Sequence, residues 1–131
     1  MSSTDPKVTE QLAEDLTMAV DAATEPQQIL VNIYEADQAL VVVGALPAVT
    51  ADDVDITVAP GRLQIVASMR SAAPKDYLVN EWSYGPYERE LEIPEGFGSE
   101  VAATLANGQL AIRLLRGDAP ADGLTVQPTR P

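Results

Sequence analysis

The sequence predicts an all-β chain of two packed sheets with a short helix in front, and three observations predict it. The first is the stretch Val101–Leu115, VAATLANGQLAIRLL. There Val101, Ala103 and Leu105 alternate with Ala102, Thr104 and Ala106, and Leu110, Ile112 and Leu114 alternate with Ala111 and Arg113. Asn107-Gly108 separates the two runs. Both residues accept positive φ cheaply, which a two-residue type I′ turn requires, so the stretch reads as a β-hairpin. The second is Val54–Ser68. Val54, Ile56 and Val58 alternate with Asp55 and Thr57, Ala59-Pro60-Gly61-Arg62 fits a tight turn, and Arg62–Ser68 returns as the partner strand. The third is the change at Ile29 from helical spacing to strand-like runs. The apolar faces of such a hairpin must be buried against another sheet, and the rest of the sequence supplies one.

Composition bounds what such a chain can do. Its 131 residues, 46% of them hydrophobic, suffice for one domain with a real core. No apolar run is long enough to span a bilayer and no basic-then-apolar signal pattern opens the chain, so a soluble, cytoplasmic protein is expected. The absence of Cys and His removes disulfides, thiolate chemistry, the usual general base and the commonest metal ligand. The net charge of −12 repels phosphate backbones and argues against nucleic-acid partners. Neither a P-loop nor a glycine-rich dinucleotide turn is present. An enzyme would have to rely on carboxylates, and these lie on strand faces patterned for solvent. No catalytic, metal-binding or cofactor-binding residues are therefore assigned.

Taken in order, the chain begins with Asp5-Pro6, an N-cap followed by Pro at the first helical position. Val8, Leu12, Leu16, Ala19, Val20 and Ala23 then recur at spacings of three and four, giving one thin apolar stripe on a helix that ends before Pro26. Ile29–Tyr34 reads as a strand, Glu35-Ala36-Asp37 as a polar break. Ala39–Ala45, ALVVVGA, reads as a strand covered on both faces, ended by Leu46-Pro47. Thr50-Ala51-Asp52-Asp53 has capping-box spacing and predicts one helical turn. Asp52, Asp53 and Asp55 lack the glycine-centred loop and distal bidentate Glu of a calcium site, so they read as solvation of an edge.

Residues 69–76 read as a loop, Tyr77–Trp82 as a short extended piece, and Tyr87–Ile93 as a strand after Gly85-Pro86. In that strand Glu88, Glu90 and Glu92 point one way and Tyr87, Arg89, Leu91 and Ile93 the other. Arg89 thus sits on an apolar face. It must meet a carboxylate, leave the core at an interface, or pack its stem and send its head to water. Glu95–Glu100 reads as a loop. After Leu115 the chain turns polar, and the tail carries Leu124 and Val126, one position apart. Two apolar residues in a tail are common by chance; the sharper reading is a strand-like peptide presenting both to a groove.

The order of these segments resembles the small heat-shock protein (Hsp20) family, built on the α-crystallin domain, over about Ile29 to Leu115. The most specific motif is Ala, three residues, Asn-Gly, one residue, Leu, present as Ala103-Thr-Leu-Ala-Asn107-Gly108-Gln-Leu110. Leu46-Pro47 before an acidic turn and an alternating strand agrees with it. So does Trp82-Ser-Tyr84-Gly85-Pro86-Tyr87 running to Ile93-Pro94. Ala48 departs from the pattern, standing where Gly is usual, and the arm before Ile29 has no aromatic residue, where the family's arm is longer and aromatic-rich.

The resemblance implies an antiparallel, immunoglobulin-like β-sandwich in three parts: an arm over 1–28, the α-crystallin domain over 29–116 and a flexible tail over 117–131. It implies an ATP-independent holdase that binds unfolded client proteins in a stress response. It also implies a homodimer in which the strand at Tyr77–Trp82 crosses to the partner's Ile29–Tyr34, with Ile29, Val31, Ile33, Tyr77, Leu78, Val79, Trp82 and Arg89 at the interface. Leu124 and Val126 match the family's tail anchor. Its receptor would be a groove lined by Val54, Ile56, Val58, Val101, Ala103 and Leu105 in a neighbouring dimer, giving higher oligomers. Burying the two anchors at roughly 1.5–3 kcal/mol each leaves a single tail binding weakly once ordering costs are met. Assembly then depends on several tails together. The alternative reading is a co-chaperone or assembly protein that uses the same sandwich to bind one folded partner.

Overall fold

The computed structural model describes residues 27–68, 76–81 and 86–130. The helix expected between Asp5 and Pro26, most of the loop at 69–76, and Trp82 lie outside them. The described residues form nine strands: β1 (Gln27–Gln28), β2 (Val31–Ala36), β3 (Ala39–Ala45), β4 (Val54–Ala59), β5 (Arg62–Ala67), β6 (Tyr87–Glu92), β7 (Phe97–Ala106), β8 (Gln109–Arg116) and β9 (Leu124–Val126). They form two sheets, β1-β6-β5-β4-β9 and β2-β3-β8-β7. The fold is the expected antiparallel sandwich, with one parallel pair, β1 on β6.

Both predicted hairpins form. Asn107 and Gly108 take φ of 52° and 77°, and Ala106 pairs with Gln109 across them. Pro60-Gly61 closes β4 on β5, with Gly61 at φ 73°. Between β3 and β4 the chain changes sheets through a 3-10 turn, Ala51–Asp53. The Thr50 amide donates to Asp53 Oδ2 at 3.1 Å, one half of the capping box that the spacing predicts, and the Asp53 amide closes the turn on the Thr50 carbonyl at 3.0 Å.

The core lies between the sheets. Val54, Ile56 and Val58 of β4 and Leu63 and Ile65 of β5 meet Leu40 and Val42 of β3 and Leu110, Ile112 and Leu114 of β8, all essentially without solvent contact. Three elements differ from expectation. Ala39–Ala45 is not covered on both faces: Leu40 and Val42 are buried, while Val41 and Val43 are only half-buried. A two-layer sandwich gives each strand one inner face, and a run of valines fits such a strand as well as it fits a doubly covered one. Glu95–Glu100 is largely strand, since β7 begins at Phe97 and carries a register irregularity between Phe97 and Val101. The first long strand starts at Val31, because Ile29 and Leu30 carry the chain from one sheet to the other.

Gly98 explains that irregularity. It has φ 109°, and a Cβ there would lie 2.7 Å from Val58 Cγ1 and 3.0 Å from Ala119 Cβ. Only glycine lets β7 approach the opposite sheet and the chain after β8 this closely.

Candidate functional site

A sandwich has sheet edges, and an edge is a row of unpaired N–H and C=O groups that invites another strand. Here β2 and β7 flank one sheet, while β1 and β9 flank the other. These two, β1 and β9, are the first and the last of the described strands.

The first candidate site is the β4 edge, with the groove between β4 and β7. Leu124–Val126 pairs antiparallel with β4 of the same chain, in the register Ile56↔Val126, Thr57↔Thr125, Val58↔Leu124. The side chains of Val54, Ile56 and Val58 point into the core, so β4 offers the tail mainly its backbone edge. Val126 packs against the core, Leu124 is half-buried, and Pro128 is buried. The Thr57 and Thr125 hydroxyls are 3.1 Å apart. Gln127 Nε2 donates to Asp55 Oδ1 at 3.2 Å, and Arg130 reaches Asp52 at 3.5 Å. The tail then crosses to the other sheet. The Leu105 amide donates to the Thr129 carbonyl at 3.0 Å, and the Thr129 amide donates to the Ala103 carbonyl at 2.9 Å. Ala103 and Leu105 are buried and Val101 packs on the core.

This differs from the expected arrangement. Residues 117–131 were expected as a flexible tail reaching a neighbouring dimer, yet 117–129 are laced into their own sandwich. The reason lies in the connector. The Ser99 amide donates to the Gly117 carbonyl at 3.1 Å, Gly98 bridges Asp118, and the Gly123 amide closes a turn on the Pro120 carbonyl at 2.9 Å. Ala119 is part of the core. Sequence reading missed Ala119, Pro128 and Thr129. The alternation Leu124, Val126, Pro128 was the available signal for the second of these. Ala119 gave none, standing as one small residue in a polar run.

The second candidate site is β2 with the segment that was expected to cross. No described strand pairs beyond β2. Val31 packs on the core and Ile33 is partly exposed at the edge, with Tyr34 55% exposed beside it. Residues 77–81 belong to no strand, and Tyr77, Leu78 and Val79 are 49%, 103% and 72% exposed. Ile29 stands apart from the other residues assigned to an interface, because it is fully buried in its own subunit.

Arg89 finds a partner that the sequence reading had not considered. Its Nη1 donates to the Ile29 carbonyl at 2.9 Å. Its strand partner Ile65 is fully buried, so the stem of Arg89 lies at the margin of the core. The guanidinium thereby fixes the crossover between β1 and β2, which the Leu30 carbonyl also holds by accepting from the Ala45 amide at 3.1 Å.

A sandwich with Asn-Gly and Pro-Gly hairpins, an edge strand without a described partner and a tail that pairs as a strand offers sheet edges to which strands can add. Comparison with known proteins identifies the family. The Hsp20/alpha crystallin family model matches residues 32–127, and the chain belongs to that family. Among solved structures it is similar to hspA from Xanthomonas axonopodis, with 22% identity, a TM-score of 0.65, 73% of this chain covered and 100% of that one. It is likewise similar to a small heat-shock protein from Xylella fastidiosa, with 20% identity, a TM-score of 0.63, and 73% and 92% covered. Heat shock protein 16.0 from Schizosaccharomyces pombe gives 20% identity, a TM-score of 0.61, and 72% and 91% covered. At these identities the likeness carries the fold. No curated protein sequence matches. The family is one of small heat-shock chaperones, which typically oligomerise and are not enzymes. Among the described residues no helix is long and apolar enough to cross a membrane.

Proposed function

We propose that this chain is an ATP-independent holdase that works from a strand-exchanged homodimer in the cytoplasm. One observation carries the reading: the β2 edge lacks a described partner strand while Leu78 and Val79 stand out in water with no sheet to join. An exposed pair of large apolar side chains beside an open edge is costly to keep and easily satisfied by a second subunit. Added as a strand, Tyr77–Val79 of one subunit would gain ladder hydrogen bonds and cover Ile33 and Tyr34 of the other. Val31 and Trp82 extend the same interface, and Arg89 steadies the edge through Ile29. Partly unfolded clients present extended apolar segments of the same kind, and binding them requires no nucleotide and no catalytic group.

The test is light scattering from a heat-aggregating client protein mixed with the chain. Suppression near stoichiometric ratios, without added nucleotide, is the expected result. Undiminished aggregation at a severalfold molar excess overturns the holdase reading and favours a module for one folded partner.

A further inference from the structure

The two sheets turn unlike outer faces away from the core. On β4, β5 and β6 the outward positions include Asp55, Arg62, Glu88, Glu90 and Glu92. On β3, β7 and β8 they include Val41, Val43, Ala102, Ala111 and Leu115, all half-buried except Ala102, which is exposed. In the paired rows of this second face Arg113 is the one charged residue. A sheet with one side in water normally turns polar residues outward. This side instead has the make-up of a covered one, and the run ALVVVGA, whose pattern predicts cover on both faces, lies near its centre. Among the described residues no layer covers it.

We infer that residues 8–23 of the N-terminal arm dock on the outer face of the β2-β3-β8-β7 sheet as a third layer, with Asp15 as the counter-ion of Arg113. The arm arrives at the right place. It ends at Gln27, and the four residues from there to Val31 span at most about 14 Å, so it leaves the sandwich beside the start of β2. The lengths agree. As a helix, the apolar stripe from Val8 to Ala23 extends about 22 Å, and the seven residues of β3 extend about 23 Å. A stripe of Leu, Val and Ala also suits a shallow surface of Val and Ala.

Charge selects between the two outer faces. Residues 1–26 carry six acidic residues and one lysine. The β4–β6 face is itself acidic, and Arg62 there is already bound to Glu90 at 2.9 Å, so it repels the arm. Arg113 is available on the other face. Its Nη2 donates to the Asp37 carbonyl at 3.4 Å, and none of the described carboxylates pairs with it. Asp15 falls three positions after Leu12 and four before Ala19, which puts it at the border of the stripe. Asp15 is midway along the stripe and Arg113 midway along β8, so the two meet whichever way the helix runs. An arm from a second copy would meet the same residues. Docking there lies over the sheet and leaves the outer row of β2 backbone groups free.

The chain lacks Cys, so one introduced thiol reports on each face. Ala111→Cys stands in the middle of the apolar face and Gln64→Cys in the middle of the charged one, and both positions are half-buried. Each is alkylated with iodoacetamide in the full chain, with and without Leu12→Asp/Leu16→Asp in the arm. With the arm intact Ala111→Cys is expected to react at least about tenfold more slowly, and Gln64→Cys at an unchanged rate. Equal rates at Ala111→Cys in the two backgrounds would overturn the inference, as would an equal slowing at Gln64→Cys. Asp15→Arg is expected to speed the reaction of Ala111→Cys severalfold, and Arg113→Asp added to it to slow it again. A rate that ignores both would remove Asp15 from the contact. If Ala111→Cys fails to fold by circular dichroism, Val43→Cys takes its place. No client protein enters these measurements, so the docked arm stands or falls apart from the holdase reading.

Discussion

Strands β2 and β4 leave their hairpins in the same condition. Each is paired on one side, by β3 and by β5, and each turns a row of backbone groups outwards on the other. The chain treats the two rows differently. Leu124–Val126 covers β4, and Asp55 and Asp52 take up Gln127 and Arg130 beside it. The outer row of β2 meets no described strand, and Ile33 and Tyr34 beside it remain in contact with water. An edge closed from within its own chain serves stability. On the proposed reading, the open edge is the one that takes a partner's strand.

The comparison can be broken most severely at the open edge. Leu78→Asp/Val79→Asp removes two apolar side chains whose burial is worth about 3–6 kcal/mol in all. Sedimentation equilibrium should show the dimer dissociating at least about a hundredfold more readily. An unchanged dimer would mean that this segment does not reach the partner. At the closed edge the largest single effect is expected from Gly98→Ala, which places a methyl group within 2.7 Å of Val58 Cγ1 and displaces Ala119. Overpacking together with a positive φ should cost about 2–4 kcal/mol in chemical denaturation. Exchange of the Leu105 amide, which donates to Thr129, should speed with it. Stability lost without faster exchange at Leu105 would separate the connector from the tail.

Arg89→Ala sharpens the open side. It strips a part-buried carbonyl of its donor, which should cost about 1–3 kcal/mol. Because that carbonyl belongs to Ile29, the amide of Ala45, bonded to Leu30, should exchange faster while Leu105 does not. Arg89→Lys should restore part of the loss. Ala48→Gly is the smallest change and runs the other way. Ala48 holds φ 67° in the turn that leaves β3, a conformation glycine adopts freely. Relieving it should add about 1 kcal/mol of stability without altering either edge. A lower melting temperature would show that the Ala48 methyl group packs in a way that outweighs its strain.

Much of this was legible in the chain itself. Asn107-Gly108 and Pro60-Gly61 gave their turns because positive φ is a local demand that few residues meet. Period-two alternation gave β4, β5, β7 and β8 their inner faces, and those faces gave the core. Thr50 and Asp53 gave their cap. The functional edges were harder to read. Arg89 was known to need a partner, but a main-chain carbonyl at Ile29 carries no signature in the side-chain pattern. Glu95–Glu100 read as a loop because two glycines there suggested a break, whereas Gly98 is present for the close approach of Val58 and Ala119.

The local order of residues determined which segments are strands and where they turn, since those choices depend on neighbours two to four positions apart. It also determined that Leu124 and Val126 would suit an edge. The family resemblance pointed to the β4–β7 groove as its receptor, but in whose subunit is a matter of tertiary packing. A strand makes the same ladder of hydrogen bonds with its own chain as with another, so nothing in its sequence distinguishes the two. The path of the connector does, through Ala119 lodged against Gly98, a contact between residues 21 positions apart.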